Sequence, residues 1–317
     1  MAQDHNATAN TSSRVISDEN YNGLTIYNRN LPTELLTEIF CYADHKTLLN
    51  CQLVCKYWRM IIQNYVWWKK ARLTLNKSFL RYEEIPWHVF YFICKTKPPF
   101  ERNLLKNHSG EESFNNWHIY SCSTGVWSIE NPPVNVPELP LTEPIFEGKQ
   151  YCFATFFYNF SYQESVGAFS SKTQLVDIVA EGFHPYILDI LQPPIVISEW
   201  YSCQKGYTAM YECVVDLLGV EEKNNTIKIL DKFRFCDAIK GERQNKWQYI
   251  SRVFTNYGRG LRKITFMHTG MSNSPCGEIY CGMKMAGACI RIKIPQVATS
   301  MMMQRFTTNP KCTEILL

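Results

Sequence analysis

From Leu31 to Leu75 the chain runs without a glycine, and its one proline, Pro32, stands at the start. Nothing there interrupts a backbone hydrogen-bond ladder, and proline is tolerated in a helix's first turn, so the stretch reads as helical. Leu35, Leu36, Ile39 and Phe40 fall at i, i+1, i+4 and i+5 and form the apolar stripe of a first helix. Thr33, Thr37 and the acids near them suit its positive end. Asp44 is a good cap for a second helix running through Thr47 to Arg59. Its apolar positions (48, 49, 51, 53, 54, 55, 57, 58, then Ile61 and Ile62) go nearly all the way round. So short a segment cannot bury that much apolar surface on itself. It either packs on the following domain or binds a partner.

Beyond Leu104 the texture changes to short alternating or apolar runs separated by turn residues, the pattern of an antiparallel β fold. The expected strands are Gln174–Glu181, Ile195–Tyr201, Ala209–Leu218, Thr226–Phe235, Trp247–Thr255, Arg262–His268 and Ala288–Ile294. In the last, Ile290, Ile292 and Ile294 point one way and Arg291 and Lys293 the other. Turns are expected at 222–225, at Tyr257-Gly258-Arg259-Gly260, where both glycines suit positive φ, and from Gly270 to Gly277. That many strands imply a sandwich, since an open sheet would leave one apolar face wet. The expected fold class is therefore α+β: a small all-α N-terminal part, a connector and a C-terminal antiparallel β-sandwich. The expected boundaries are a disordered tail at 1–28, helices at 29–75, a semi-rigid aromatic connector at 76–102, the sandwich at 103–296 and a flexible tail at 297–317.

With 45% hydrophobic and 14% aromatic residues the chain can pack a core, which excludes global disorder. A net charge of +4 with no Lys/Arg block does not imply nucleic acid. No run approaches the roughly 18 apolar residues that span a bilayer. The first 25 residues are polar and read as no signal peptide, so a cytoplasmic location and 13 reduced cysteines are expected.

Leu31-Pro32-x-Glu34-Leu35-Leu36-x-x-Ile39-Phe40, then Leu48-x(4)-Leu53-Val54-Cys55-Lys56-x-Trp58-Arg59, resembles an F-box. The resemblance implies binding to a Skp-family adaptor that links to a cullin–RING scaffold. Leu31, Pro32, Leu35, Leu36, Ile39, Leu53, Val54 and Trp58 would form the contact.

Residues 103–295 are similar to the F-box-associated domain of the glycoprotein-recognising F-box proteins. The similar pieces are Arg102-Asn103-Leu104-Leu105-Lys106-Asn107, Gly110-Glu111-Glu112, Trp117, Gln174-Leu175-Val176-Asp177-Ile178 and Ala180-Glu181-Gly182. Leu188-Asp189, Gln192-Pro193-Pro194-Ile195, Trp200-Tyr201-Ser202, Tyr211-Glu212 and Phe254-Thr255-Asn256-Tyr257-Gly258-Arg259-Gly260 complete the set. The resemblance implies a jelly-roll, galactose-binding-like sandwich whose end loops hold high-mannose N-glycans on misfolded glycoproteins, as in ER-associated degradation. Sugar recognition needs an aromatic face for the C–H side of the ring and polar groups for its hydroxyls. Tyr280 and Lys284 match the family's Tyr-Trp-Lys loop, but Cys281 stands at its Trp. A family Asp falls near Gly206 and a family Phe near Gly167, with Tyr207 and Phe169 next to them as substitutes. The ligand-binding candidates are thus Tyr280, Phe169, Tyr207 and Lys284. The alternatives are a protein ligand in place of a glycan, or a lectin-like module acting without a ligase.

Cys51 and Cys55, and Cys276, Cys281 and Cys289, lack histidines at zinc-finger spacing, so neither metal nor cofactor is expected. His184 with Asp189, or His268 with Cys276, could be imagined as catalytic, but no nucleophile elbow or phosphate loop accompanies them. A non-catalytic substrate receptor is expected.

Overall fold

The computed structural model describes residues 25–26, 29–76, 85–121, 125–142, 144–145, 148–158, 169–221, 226–272 and 279–295. The turn expected at 222–225, Gly167, Cys276 and the C-terminal tail lie outside these. Within the stretch read as a tail over 1–28, Thr25–Ile26 (β1) pairs antiparallel with Arg29–Asn30 (β2), so that part is a strand.

The helical part consists of Thr33–Tyr42 (α1), His45–Cys51 (α2), Lys56–Ile61 (α3), a π-helical turn at Ile62–Val66, Trp67–Leu75 (α4) and Trp87–Thr96 (α5). Asp44 caps α2 as its residue type demands, its carboxylate accepting from the N–H of Lys46 and Thr47 and from the Thr47 hydroxyl. The expected continuous helix over 47–59 does not form. It breaks at Gln52–Val54, where the N–H groups of Leu53 and Val54 reach back only three residues, to Asn50 and Cys51. Buried Gln52 is tied by its side chain to Gln63, and extended Cys55 caps α3 through its sulfur to the Trp58 N–H. Further along, the Trp67 N–H bonds the Ile62 carbonyl, and this extra residue in one turn puts Ile62, Val66, Trp67 and Ala71 all in the core.

The stretch read as a connector contains α5, whose Val89, Phe90 and Ile93 complete the helical core.

The sandwich has two five-stranded antiparallel sheets. One is built from His118–Ser121 (β3), Phe169–Asp177 (β6), Leu261–Ser272 (β11), Ala209–Glu221 (β8) and Thr226–Ile239 (β9), in that spatial order. The other orders Gln248–Phe254 (β10), Ile195–Cys203 (β7), Ile279–Ile292 (β12), Cys152–Tyr158 (β5) and Gly125–Glu130 (β4). The seven expected strands correspond to β6 to β12 with shifted ends. β6 starts earlier and stops at Asp177, and Gly270 lies inside β11 rather than in a turn. Strands β3, β4 and β5, and the helix Pro185–Leu191 (α6), fall outside the expected set. Gly258 and Gly260 do take positive φ, +85° and +95°.

Between the sheets lie Phe153, Ile195, Ile197, Tyr211, Val215, Ile264, Phe266, Met285, Ile290 and Ile292. Ile294 departs from the expected shared face: it packs in the helical core with Ile187 and Leu191 of α6. The helices therefore seat on the end of the sandwich where β6 leads through α6 into β7. The strand registers put the strand ends Ser121, Gly125, Tyr158, Phe169, Cys203, Ala209, Ile239, Gln248, Ser272 and Ile279 at the opposite end.

Candidate functional site

The first candidate site is on the helices. Leu36 is 2% exposed and belongs to the helical core, which corrects its expected role as a contact residue. Trp58 and Leu31 are half-buried against the same core, Trp58 edge-on to Phe40 at 5.0 Å. Leu35 and Ile39, one helical turn apart, are each 54% exposed, and Tyr42 continues their line. In the break after α2, Leu53 and Val54 are 75% and 62% exposed, and Pro32 is exposed at the start of α1. The same break that ends α2 holds these two aliphatic side chains outward. A groove of about 440 Å³ runs between α1 and α3–α4, lined by Thr37, Met60, Ile61, Asn64, Tyr65 and Lys69 among others.

The second is at the far end of the sandwich. Phe169 opens β6 and is 43% exposed, and Tyr207 lies half-buried in the β7–β8 turn. Tyr280, opposite Phe157 in the β12–β5 pair, stands at the same end. Lys284 does not. It points to the outer side of its sheet, is 3% exposed and is ion-paired to Glu130, with Nζ at 2.5 and 2.6 Å from the carboxylate oxygens. A lysine so enclosed is a structural partner of Glu130, which corrects its expected role as a ligand contact.

Gly206, where the family pattern calls for an acid, is exposed at φ +88°, and its N–H donates to Gln244 Oε1 at 3.0 Å. The Gln244 amide also donates to the Tyr207 carbonyl, so one side chain pins the whole turn. Next to it opens a cleft of about 560 Å³, lined by Asn135, Val136, Pro137, Gln204, Lys205 and Asn245. Trp247 closes its wall by donating to the Pro137 carbonyl at 2.8 Å. Three amides and an ammonium offer both donors and acceptors, as a polyhydroxylated or peptidic ligand needs. Sequence reading missed Gln244 and these amides. Their one available signal was the turn composition around Asn135 and Asn245, both at positive φ.

The groups imagined as catalytic are occupied structurally. His184 Nδ1 caps α6 by accepting the Tyr186 N–H, Asp189 pairs with Arg262, and His268 is buried against Glu199. Among the described residues, no group of three or more His, Cys, Asp or Glu side chains could hold a metal ion. No described helix is long and apolar enough to cross a membrane.

Comparison with known proteins agrees with this division. The family model described as F-box-like matches residues 29–74, and the F-box associated region matches residues 94–292. F-box only protein 6 of Rattus norvegicus is 32% identical over 247 residues, 76% of this chain and 78% of that protein. F-box only protein 17 of Homo sapiens is 28% identical over 280 residues, covering 83% of this chain and 92% of its own length. F-box only protein 2 of Bos taurus is 29% identical over 260 residues, 78% of each. Helices that keep apolar side chains on their surface, followed by a sandwich with a polar cleft at its far end, match that pairing of domains, and the chain belongs to the F-box proteins that carry an F-box associated region.

Proposed function

We propose that this chain is the substrate-recognition subunit of a cullin–RING ubiquitin ligase, acting in the cytoplasm. Its helices would bind a Skp-family adaptor, and its sandwich would hold the substrate. The observation that carries the reading is the exposure of Leu35, Ile39, Leu53 and Val54 beside a helical core that is already complete without them. Apolar residues so placed are covered at low cost only by a partner. The receptor then works by proximity, raising the effective concentration of substrate near the conjugating enzyme, and needs no catalytic group of its own. Capture of the full chain on purified Skp-family adaptor tests this. Leu53→Asp/Val54→Asp is the informative variant, because neither side chain supports the core. Wild-type capture lost in that variant upholds the reading, whereas no capture of folded wild type refutes it and leaves a free-standing binding module.

For the substrate, misfolded high-mannose glycoproteins are the first reading, supported by Phe169, Tyr207 and Tyr280 at one end of the sandwich. A glycan-free protein surface is the second, favoured by Gly206, by Cys281 in place of a ring, and by the enclosure of Lys284. Binding of denatured ribonuclease B with and without its N-glycan separates them. Loss of binding on deglycosylation, and on Tyr280→Ala, supports the glycan.

A further inference from the structure

Between the sheets, two to four residues below the far end, sits a polar cluster that neither binding face uses. Lys172 of β6 is fully buried, and its Nζ has no hydrogen-bond partner. That nitrogen lies among three rings, 2.6 Å from the Phe153 centroid, 3.9 Å from Trp117 and 5.1 Å from Trp127. His268 of β11 is its cross-strand neighbour. The His268 Nδ1 is 2.6 Å from Glu199 Oε1 of β7, and its Nε2 has no partner. The second Glu199 oxygen accepts the Tyr211 hydroxyl of β8.

The carboxylate is thus satisfied from both sides, while the amine and the free imidazole nitrogen are not. An ammonium at Lys172 would hold three N–H donors among rings, with no protein acceptor, in a fully buried site, whereas a neutral amine leaves only two weak donors. A second proton on His268 would sit equally unmatched at Nε2.

We propose that Lys172 and His268, closed over Glu199, form a proton-operated latch on the far end of the sandwich: both uncharged, they let the sheets close, and a proton taken up by either opens them. The cluster sits where such an opening would matter. Lys172 is three residues along β6 from Phe169, about 10 Å at strand rise, and Tyr211 is four residues from Tyr207.

The groups that act on the amine are Glu199 from β7, His268 from β11 and Cys152 from β5, while Tyr211 and Cys213 of β8 act on Glu199 behind it. Burial pushes Lys172 well below the usual lysine range and outweighs the opposing pull of Glu199 and Cys152. Burial also lowers His268 and Glu199 opposes it; a charge on Lys172 would lower it further. Both folded values are depressed for bases, so the unfolded chain binds the extra protons. Stability falls as pH drops from about 10.4 through the range where only unfolded Lys172 is charged, and falls again below about 6.5 through His268.

That this end holds ligand rests on the receptor reading above. The proton linkage does not, and it is measured without ligand. The experiment is denaturant unfolding of the full chain between pH 7 and 9, wild type beside Lys172→Met. The ratio of their unfolding constants is expected to change nearly tenfold per pH unit, the signature of one proton. A ratio independent of pH would mean that the rings hold an ammonium, and would overturn the latch. If Lys172→Met fails to fold, ¹³Cε-lysine NMR of wild type decides: one resonance at the uncharged position at pH 8 is expected, and all lysines titrating near 10 refutes the proposal. Hydrogen exchange locates the effect. Amides of Ser170–Lys172 and Tyr211–Cys213 should open more often at pH 6 than at pH 8 after correction for intrinsic rates, and equal opening would sink the claim that this end responds.

Discussion

Single side chains decide which apolar residues of the helices are structural and which are free. Leu35 and Leu36 are adjacent and chemically identical, yet one is exposed and the other is core. Leu36→Ala should cost about 2–5 kcal/mol in chemical unfolding of the helical part. Leu35→Ala should cost under about 0.5 kcal/mol, as surface substitutions generally do, and should show its effect in adaptor binding. The Lys284–Glu130 pair makes the opposite point about charge. Lys284→Ala would strand a carboxylate in a nearly closed site and should cost about 3–5 kcal/mol, with Lys284→Met/Glu130→Gln recovering most of it. Equal urea midpoints for Lys284→Ala and wild type would contradict that burial.

At the scale of elements, short helices depend on their ends. Asp44 holds the start of α2 through three hydrogen bonds, and these hold its carboxyl down to about 2, the Thr47 hydroxyl being the largest contributor. The folded value lies below the unfolded one near 3.9, so the stabilisation is present above about pH 4 and lost as pH falls towards 2. Asp44→Ala should melt earlier than wild type at pH 6, and the two melting curves should converge near pH 2. Sheet edges show a related economy. β9 carries Lys228, Asp231, Lys232 and Arg234 along its free edge, and β10 turns Arg252 inward at the rim, both of which discourage pairing with another chain.

Over the whole molecule, the two candidate faces lie at opposite ends of the sandwich, and α5 and α6 hold that geometry. Phe92 stacks on His184 at 3.6 Å, and Ile187, Leu191 and Ile294 enter the helical core. The helical part and the sandwich are therefore expected to behave as one body. Ile187→Asp/Leu191→Asp should free them, read as new proteolytic cleavage between α5 and β3 without loss of the β signal in circular dichroism. Resistance equal to wild type would show that the junction does not depend on this packing.

Much of this was legible in the residues. Glycine-free amphipathic spacing specified helices from Leu31, period-two alternation marked the end of β12 through Ile290 and Ile292, and the ordered Leu-Pro and Leu-Val-Cys-Lys segments carried the family, because local spacing alone produces those signals. Less was legible where a residue's environment comes from distant chain. Ser170-Ser171-Lys172 shows no apolar alternation, and the strand expected from Gln174 begins five residues earlier, at Phe169, with Lys172 walled in by Trp117, Trp127 and Phe153. Leu36 and Leu35 cannot be told apart by hydropathy, nor Lys284 from a surface lysine until Glu130 is brought beside it. The sequence by itself determined that helices precede strands, the order of β6 to β12 and the pairing of an F-box motif with a sandwich. Only the tertiary structure decided which leucine faces out, which lysine is enclosed and which end remains open, because burial is set by contacts between residues far apart in the chain, and no local pattern encodes them.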